Sequence, residues 1–305
     1  MHVEGYKGLA CVSGSDTCYV SSDKSGQVCR VARLFSSPLA TLAAEFYADS
    51  TRGLRLNNAH DVVISGDGVF VADSGNSRIG AFEISSGQTH LHRWFNLSAG
   101  DQPWSVYVTA VHTFVVYRSL SNGKRYLVRV STPARLADHL PVQLGSALPH
   151  GMAISPAGDE LLITQEQRIL VARLPSMAMR TVLTDSPFGN YQAALWSRSQ
   201  LVLLDRNRGK VCRTKDGVLG LDGRLPPQLH HNSDLLCTGM LRAPHAMDAD
   251  PIHADSVIVA ETAINALTRI NLTDNQQTRL TILPGRCYSG VGGLAGGAQT
   301  PSAHA

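Results

Sequence analysis

The sequence predicts an all-β fold, a six-bladed β-propeller built from four-stranded antiparallel blades. Three observations lead to this prediction. One order of features recurs along the chain: a β-branched run, a glycine turn, a second apolar run, a polar turn and a third run. Equivalent points in the copies lie 41 to 54 residues apart, which suits a four-stranded blade. Outside two longer connections, no segment keeps a helical period.

The clearest copy runs from Asn58 to Ile79 and continues through the strand-like segment Arg78–Ile84. Its short apolar runs are separated by turn residues, which is typical of a meander of antiparallel strands. His90–Phe95 is the predicted outer strand of this blade.

Two further copies repeat the order well, Leu148–Leu174 and Ala243–Ile270. Three weaker copies fill the gaps: Gly8–Leu34, Pro103–Val130 and Tyr191–Thr214. The predicted propeller spans residues 1–283, with blades at 6–56, 57–101, 102–147, 148–187, 188–241 and 242–283. The last blade would supply its own outer strand, Thr278–Leu283, so that the ring closes by packing alone.

Three segments lie outside the repeated pattern. Phe35–Leu56 and Gly217–Leu241 are predicted to be surface insertions, and Pro38–Phe46 within the first could form one or two helical turns. Residues 284–305 are rich in glycine, which predicts either a flexible tail or a truncated linker to a further repeat.

An acidic residue ends the second strand in four of the copies. These residues are Asp23, Asp73, Asp205 and Glu261. We expect each carboxylate to accept backbone N–H groups in the turn that follows.

Cys11 and Cys18 flank the predicted turn at residues 13–16 and would face each other across a hairpin. That position is close enough for a disulfide bond, and two buried thiols are the alternative. The sequons at Asn96 and Asn271 matter only in a secreted protein, so the compartment stays open, with an extracellular or luminal location as one possibility.

Composition narrows the class of partner. Hydrophobic residues make up 43% of the chain and charged residues 17%, as in ordinary globular proteins. The net charge of +3 is spread without a run of Lys or Arg, and the basic residues of the third and fifth blades are better explained as a solvated surface than as a nucleic-acid site. The sequence contains no run of eighteen apolar residues, so it predicts no membrane-spanning helix.

The segment from Ala59 to Phe82 resembles an NHL repeat. The matching positions are Gly66, Gly68, Val69, Val71, Ala72, Asp73, Asn76, Arg78 and Ile79. As repeats the resemblance covers nearly the whole chain, and repeats of this kind specify a fold far better than a function.

His60, His150 and His245 occupy the same position in three alternate copies, at the start of the innermost strand. Trp104 and Tyr191 hold that position in two others. All five are predicted to be binding residues at one mouth of the central channel. Three histidines with an open fourth position form the ligand set of a catalytic zinc, so they are also candidate metal ligands.

The histidine arrangement is similar to that of the peptidyl-amidoglycolate lyase branch of NHL-type propellers. The resemblance implies zinc on His60, His150 and His245, and a structural calcium near Asp61 and the carbonyl of Met152. It also implies Tyr117 as a catalytic tyrosine and Arg206 as the partner of a substrate carboxylate. The alternative is that each histidine only hydrogen-bonds an adjacent loop.

Two functions follow from the sequence. The one we favour is a module without chemistry of its own that binds a protein or small ligand through its face loops and axial channel. The alternative is a zinc-dependent lyase or hydrolase at the channel mouth.

Overall fold

Six antiparallel sheets make up the described part of the chain, and each sheet is one blade. The structure is a computed structural model, and it describes residues 6–22, 27–32, 56–84, 92–131, 140–184, 189–220, 224–264 and 266–281. Five sheets have four strands, and the first has three described strands. Within each sheet the strands follow one another in chain order, so the predicted all-β, six-bladed fold is confirmed.

The strand bounds are as follows. Blades one and two contain β1 Tyr6–Cys11, β2 Thr17–Ser22, β3 Gln27–Ala32, β4 Ala59–Ser65, β5 Gly68–Asp73, β6 Arg78–Glu83 and β7 His92–Asn96. Blades three and four contain β8 Gln102–Val108, β9 His112–Arg118, β10 Arg125–Ser131, β11 Val142–Gln143, β12 Pro149–Ile154, β13 Glu160–Gln165, β14 Arg168–Arg173 and β15 Ala178–Thr184. Blades five and six contain β16 Tyr191–Ser197, β17 Gln200–Asp205, β18 Lys210–Thr214, β19 Leu235–Thr238, β20 Pro244–Ala249, β21 Ser256–Glu261, β22 Ala266–Asn271 and β23 Gln277–Thr281.

Helical structure in the described residues is limited to a 3-10 turn, Ser74–Asn76, and the four-residue helix α1, His231–Asp234. None of the described helices is long and apolar enough to cross a membrane.

The first strands of the six sheets form the inner ring. Each contacts the first strand of the next sheet, and β20 of the last blade contacts β1 of the first. Since each first strand is also the edge of its own sheet, the six edges surround the central axis.

The core is divided into six apolar clusters, one between each pair of neighbouring blades. Strand β17 shows why its sequence is an unbroken apolar run. Leu201 and Leu203 pack towards the fourth blade, whereas Val202 and Leu204 pack towards the sixth. All four are fully buried, because successive side chains point to opposite faces and both faces are covered.

Hydrogen bonds join the last blade to the first in addition to apolar packing. The backbone N–H of Cys11 donates to Asp248 Oδ2 at 2.6 Å, and Gly14 N–H donates to the carbonyl of Pro251 at 3.1 Å. Strand β23 pairs with β22 as the outer strand of its own blade, as the sequence predicted. Closure therefore rests on packing and on polar contacts that the sequence did not predict.

The acidic residues at the ends of second strands tie each blade to the segment that enters it. Asp73 is fully buried and accepts from the backbone N–H of Asn57 at 2.7 Å and from Arg78 Nε at 2.6 Å. Glu261 accepts from the backbone N–H of Arg242 at 2.6 Å in the same way. The acceptor role was predicted, but the backbone N–H groups that these two carboxylates accept come from the preceding connection. In the following turn, Asp73 accepts from the side-chain amide of Asn76.

Asp205 binds both segments, since it accepts from the N–H of Asn190 and from that of Arg208 in the following turn. In the fourth blade Gln165 holds the position and accepts from Arg168 Nε at 2.5 Å. Asp23 lies outside the described residues.

Part of the predicted insertion Gly217–Leu241 is the outer strand of the fifth blade. Strand β19 pairs with β18 and completes that sheet. The sequence missed this strand because a long connection separates it from β18. Most of Phe35–Leu56, all of Pro38–Phe46 and residues 284–305 lie outside the described residues.

Two disulfide bonds join directly facing residues of neighbouring strands. Cys11–Cys18 links β1 to β2, which decides between the disulfide and the two thiols that the sequence left open, and Cys212–Cys237 links β18 to β19. Cys29 is also disulfide-bonded. The second bridge was not predicted, because its two cysteines are 25 residues apart and β19 was not recognised.

We predict that Asp73→Ala lowers the free energy of unfolding by about 3–5 kcal/mol, because it leaves the buried guanidinium of Arg78 without its carboxylate. The control is Asp255→Ala. It breaks an ion pair with Arg198 whose side chains are 40% and 66% exposed, and should cost less than about 1 kcal/mol. Urea unfolding of both variants measures the difference. Equal losses would contradict the role assigned to Asp73.

Candidate functional site at one mouth of the channel

Every innermost strand begins with a β-bulge. In each blade the register with the second strand shifts by one residue near the start of the first strand. The residues at these shifts are Lys7, His60, Trp104, His150, Gln192 and His245. Because a bulge redirects a side chain out of the regular alternation, it can turn one residue per blade towards the axis.

The six bulged residues surround one mouth of a central cavity of about 670 Å³. All of them except Trp104 line the cavity directly. The cavity wall comes from the first strands of all six blades, so the channel and the mouth are products of the ring itself.

Four of the five predicted binding residues hold the expected position, and Tyr191 does not. Tyr191 is completely buried between the fourth and fifth blades, whereas the next residue, Gln192, lines the channel. Lys7 was missed as well. The signal that could have found both is a buried residue, a bulged residue and a small residue in succession, as in Tyr6-Lys7-Gly8 and Tyr191-Gln192-Ala193.

His60 and His245 make the same hydrogen bond to the next blade. His60 Nδ1 donates to the carbonyl of Trp104 at 3.1 Å, and His245 Nδ1 donates to the carbonyl of Lys7 at 3.1 Å. The ring of His60 also stacks on Trp104, with centroids 5.5 Å apart and planes 8° from parallel. Each imidazole is thereby fixed by the bulged residue of the following blade.

His150 differs from the other two histidines. Both of its ring nitrogens are buried without a hydrogen-bond partner among the described residues. Burial lowers the pKa of His150 to about 3, and the nearby His60, Arg206 and Lys7 add to the effect. Burial also holds the pKa of His245 well below its usual range. Both imidazoles are therefore neutral at neutral pH.

Two cationic side chains accompany these neutral rings. Lys7 Nζ lies 3.2 Å from His245 Nε2, an arrangement in which the ammonium donates to the ring. Arg206 follows Asp205 at the same end of β17 and is close enough to lower the pKa of both His150 and His245. The mouth is thus polar and positively charged.

As they are placed, the ligand nitrogens of the three histidines do not all lie within 4.8 Å of one another, and zinc at these residues stays a prediction. The ring centroids of His60 and His150 lie 6.2 and 6.3 Å from that of His245. Within the described ranges, the one set of three potential ligands whose donor atoms lie within 4.8 Å of one another is elsewhere, in the fifth blade. Lys7 also places an ammonium against His245 Nε2, where a metal would have to bind.

Tyr117 does not reach the mouth. Its ring is 8% exposed, packs in the cluster between the second and third blades and stacks on Tyr126 at 5.5 Å. Burial raises its pKa. The structure therefore gives Tyr117 a packing role, and of the two catalytic candidates only Arg206 approaches the histidines.

Asp61 lies directly after the His60 bulge, where the other blades carry small residues. A Cβ added at the matching Gly8 would lie 2.5 Å from the backbone nitrogen of Val62, which shows how closely neighbouring strands approach at this level. The Asp61 carboxylate accepts from Ser105 Oγ at 2.8 Å and from the N–H of Val106 at 3.2 Å. It therefore joins the second blade to the third, and calcium at Asp61 and Met152 stays a prediction.

Asp248 plays the same part between the sixth and first blades through its bond to Cys11. Both carboxyl groups face the channel, and burial raises the pKa of Asp61 to about 7 and that of Asp248 to about 6. An Asp ordinarily titrates near 3.8, so each native carboxyl holds its proton to a higher pH than the unfolded chain does.

These raised pKa values predict a pH-dependent loss of stability. Stability from a carboxyl whose native pKa is raised is fully present below 3.8 and is lost as the pH rises through the native value. Between pH 5 and pH 8 the wild type should therefore lose more unfolding free energy than Asp61→Asn does. For Asp248→Asn the difference from wild type should level off about one pH unit earlier. Denaturant unfolding at several pH values measures this, and three parallel curves would contradict it.

Comparison with known proteins agrees with the fold. The model of the NHL repeat matches residues 56–82, which covers the first three strands of the second blade. No curated protein is similar enough in sequence to count as a match.

Among solved structures, hydrazine synthase of Kuenenia stuttgartiensis aligns with a TM-score of 0.64 at 13% identity, over 89% of this chain and 84% of the other. A calcium-binding protein, regucalcin, of Agrobacterium tumefaciens aligns at 0.60 with 11% identity, over 92% and 91%. A chain of a nidogen/laminin complex aligns at 0.54 with 12% identity, over 76% and 83%. At these identities the likeness shows a shared fold and says nothing about activity. The chain is therefore a six-bladed β-propeller whose second blade matches the NHL repeat in sequence.

Proposed function

We propose that this propeller is a binding module that receives an anionic group of a protein or small-molecule ligand at the bulge-lined mouth of its channel. The observation that carries the proposal is the convergence of the six bulged residues on one mouth. Five of the six, all polar or charged, line the channel, so polar side chains from five blades face one shared space.

Charge supports an anionic ligand. Lys7 and Arg206 are the cations at the mouth, and their positive charges disfavour protonation of His150 and His245. A carboxylate or phosphate placed beside the two cations would accept charge-assisted hydrogen bonds, which are about twice as strong as neutral ones.

Hydrogen bonding supports the same site. Leaving a buried polar nitrogen unsatisfied costs about 1–3 kcal/mol, and His150 has two such nitrogens among the described residues. A ligand group or a water that pairs with them would remove that cost. His150 is therefore the side chain from which the site gains most when it is filled.

The shared fold is compatible with a protein partner and with a small ligand. One similar chain belongs to a nidogen/laminin complex, and another is a calcium-binding protein. The three histidines enter this proposal as hydrogen-bonding groups, and zinc at these residues stays a prediction.

The proposal predicts that neutralising either cation weakens binding of acidic probes by about tenfold or more, the value of one hydrogen bond to a charged group. The variants are Lys7→Gln and Arg206→Gln, and the probes are citrate and a fluorescein-labelled octaglutamate peptide. Isothermal titration and fluorescence anisotropy give the affinities.

The matched control is Arg173→Gln. Arg173 is exposed, and it lies opposite Glu160 in the strand register, at the end of the fourth blade away from the mouth. The variant therefore removes the same charge elsewhere. Binding that falls equally in all three variants would indicate net charge alone. Binding unchanged in the two mouth variants would refute the proposal.

A further inference from the structure

A second cluster of ligating side chains lies at the outer edge of the fifth blade. Cys212 on β18 faces Cys237 on β19, and His231 lies in the short helix α1 just before β19. His231 Nε2 is 3.8 Å from Cys237 Sγ, and one ligand atom from each of the three residues lies within 4.8 Å of the others. This cluster is separate from the channel mouth.

The imidazole is oriented with a nitrogen towards sulfur. His231 Nδ1 lies 3.3 Å from the side-chain oxygen of Asn232, which can only accept, so Nδ1 carries the hydrogen. In the neutral ring, Nε2 then presents its lone pair to Cys237. Metal-binding histidines are commonly held in this way, by a hydrogen bond from the nitrogen that does not bind the metal.

The distance also fits a shared metal ion. Zinc–sulfur bonds of about 2.3 Å and zinc–nitrogen bonds of about 2.0–2.1 Å at a tetrahedral angle place the two ligand atoms about 3.6 Å apart. The observed separation of Nε2 and Cys237 Sγ is 3.8 Å. His231 is therefore at ligand distance while the cysteines are still joined to each other.

We propose that Cys212, Cys237 and His231 form a redox-controlled zinc site. A thiol reductant breaks the S–S bond, which yields two cysteine thiols and the disulfide of the reductant. Zinc then replaces the two thiol protons, which pass to solvent, and His231 Nε2 supplies the third ligand. A water molecule would supply the fourth ligand.

The disulfide and a zinc ion on the same two cysteines would stabilise the fifth blade in the same way. The bridge closes a loop between residues 25 positions apart and holds β19 against β18. A zinc ion on the same two sulfurs closes the same loop, so the outer strand stays anchored in the reduced protein.

Cys11–Cys18 provides an internal control. It also joins facing residues of neighbouring strands, and it also pairs one buried cysteine with one half-buried cysteine. It differs in having no third ligand within the same distance among the described residues. Reduction should therefore create a zinc site at one bridge and not at the other.

The test begins with wild-type protein reduced by a phosphine without oxygen, freed of reductant, loaded with zinc chloride and desalted. We expect one zinc per chain by elemental analysis, and none in the oxidised protein. Zinc should slow iodoacetamide alkylation of Cys237 at least about tenfold, as ligation ties up the thiolate, and leave half-buried Cys11 unchanged. His231→Ala should weaken zinc binding by about tenfold or more.

Three results would overturn the proposal: no stoichiometric zinc after reduction, equal protection of Cys11 and Cys237, or undiminished binding in His231→Ala. Circular dichroism monitors the fold throughout. If reduction unfolds the protein, zinc must restore the cooperative thermal transition in the wild type and fail to do so in His231→Ala, and failure in the wild type counts against the site.

Discussion

Neighbouring blades are held together by side-chain packing across sheet faces, and no ladder of backbone hydrogen bonds runs from one sheet to the next among the described residues. Each sheet must therefore cover both of its faces, which explains the unbroken apolar second strands. It must also fix its angle to its neighbours at the inner ring, where strands approach most closely. Asp61 and Asp248 do so by binding the backbone of the following blade, even though burial opposes their ionisation.

The mouth of the channel is a consequence of the same constraint. A bulge near the start of every inner strand redirects one side chain, and in five of the six blades that side chain lines the channel. Histidines at two of these positions donate to the carbonyl of the next bulge, so they also connect blades. His150 makes no such bond within the described residues. The proposed binding site and the contacts between blades therefore share one ring.

The repeat pattern was enough to predict the fold, because turn residues and apolar runs recur at blade spacing. It also identified the three histidines, since strong copies share a recognisable Pro-His or Ala-His start. In the weak copies the pattern was not enough to locate the bulged residue. There an aromatic residue at Tyr191 looked equivalent to Trp104, whereas the bulge falls on Gln192. Hydrogen bonds between blades, such as those of Asp61, and the late strand β19 depend on contacts distant in sequence, which no local pattern contains.

The proposed binding site at the channel mouth is tested most directly by nitrogen-15 NMR of the histidine rings, recorded at pH 6 with and without citrate. Twelve histidines contribute signals, and those of His60, His150 and His245 can be assigned by substitution. We predict neutral rings for His150 and His245, with the proton of His245 on Nδ1, and citrate-dependent shifts at the three mouth histidines. Imidazolium signals for His150 and His245 without citrate, or citrate shifts confined to other histidines, would contradict the binding site.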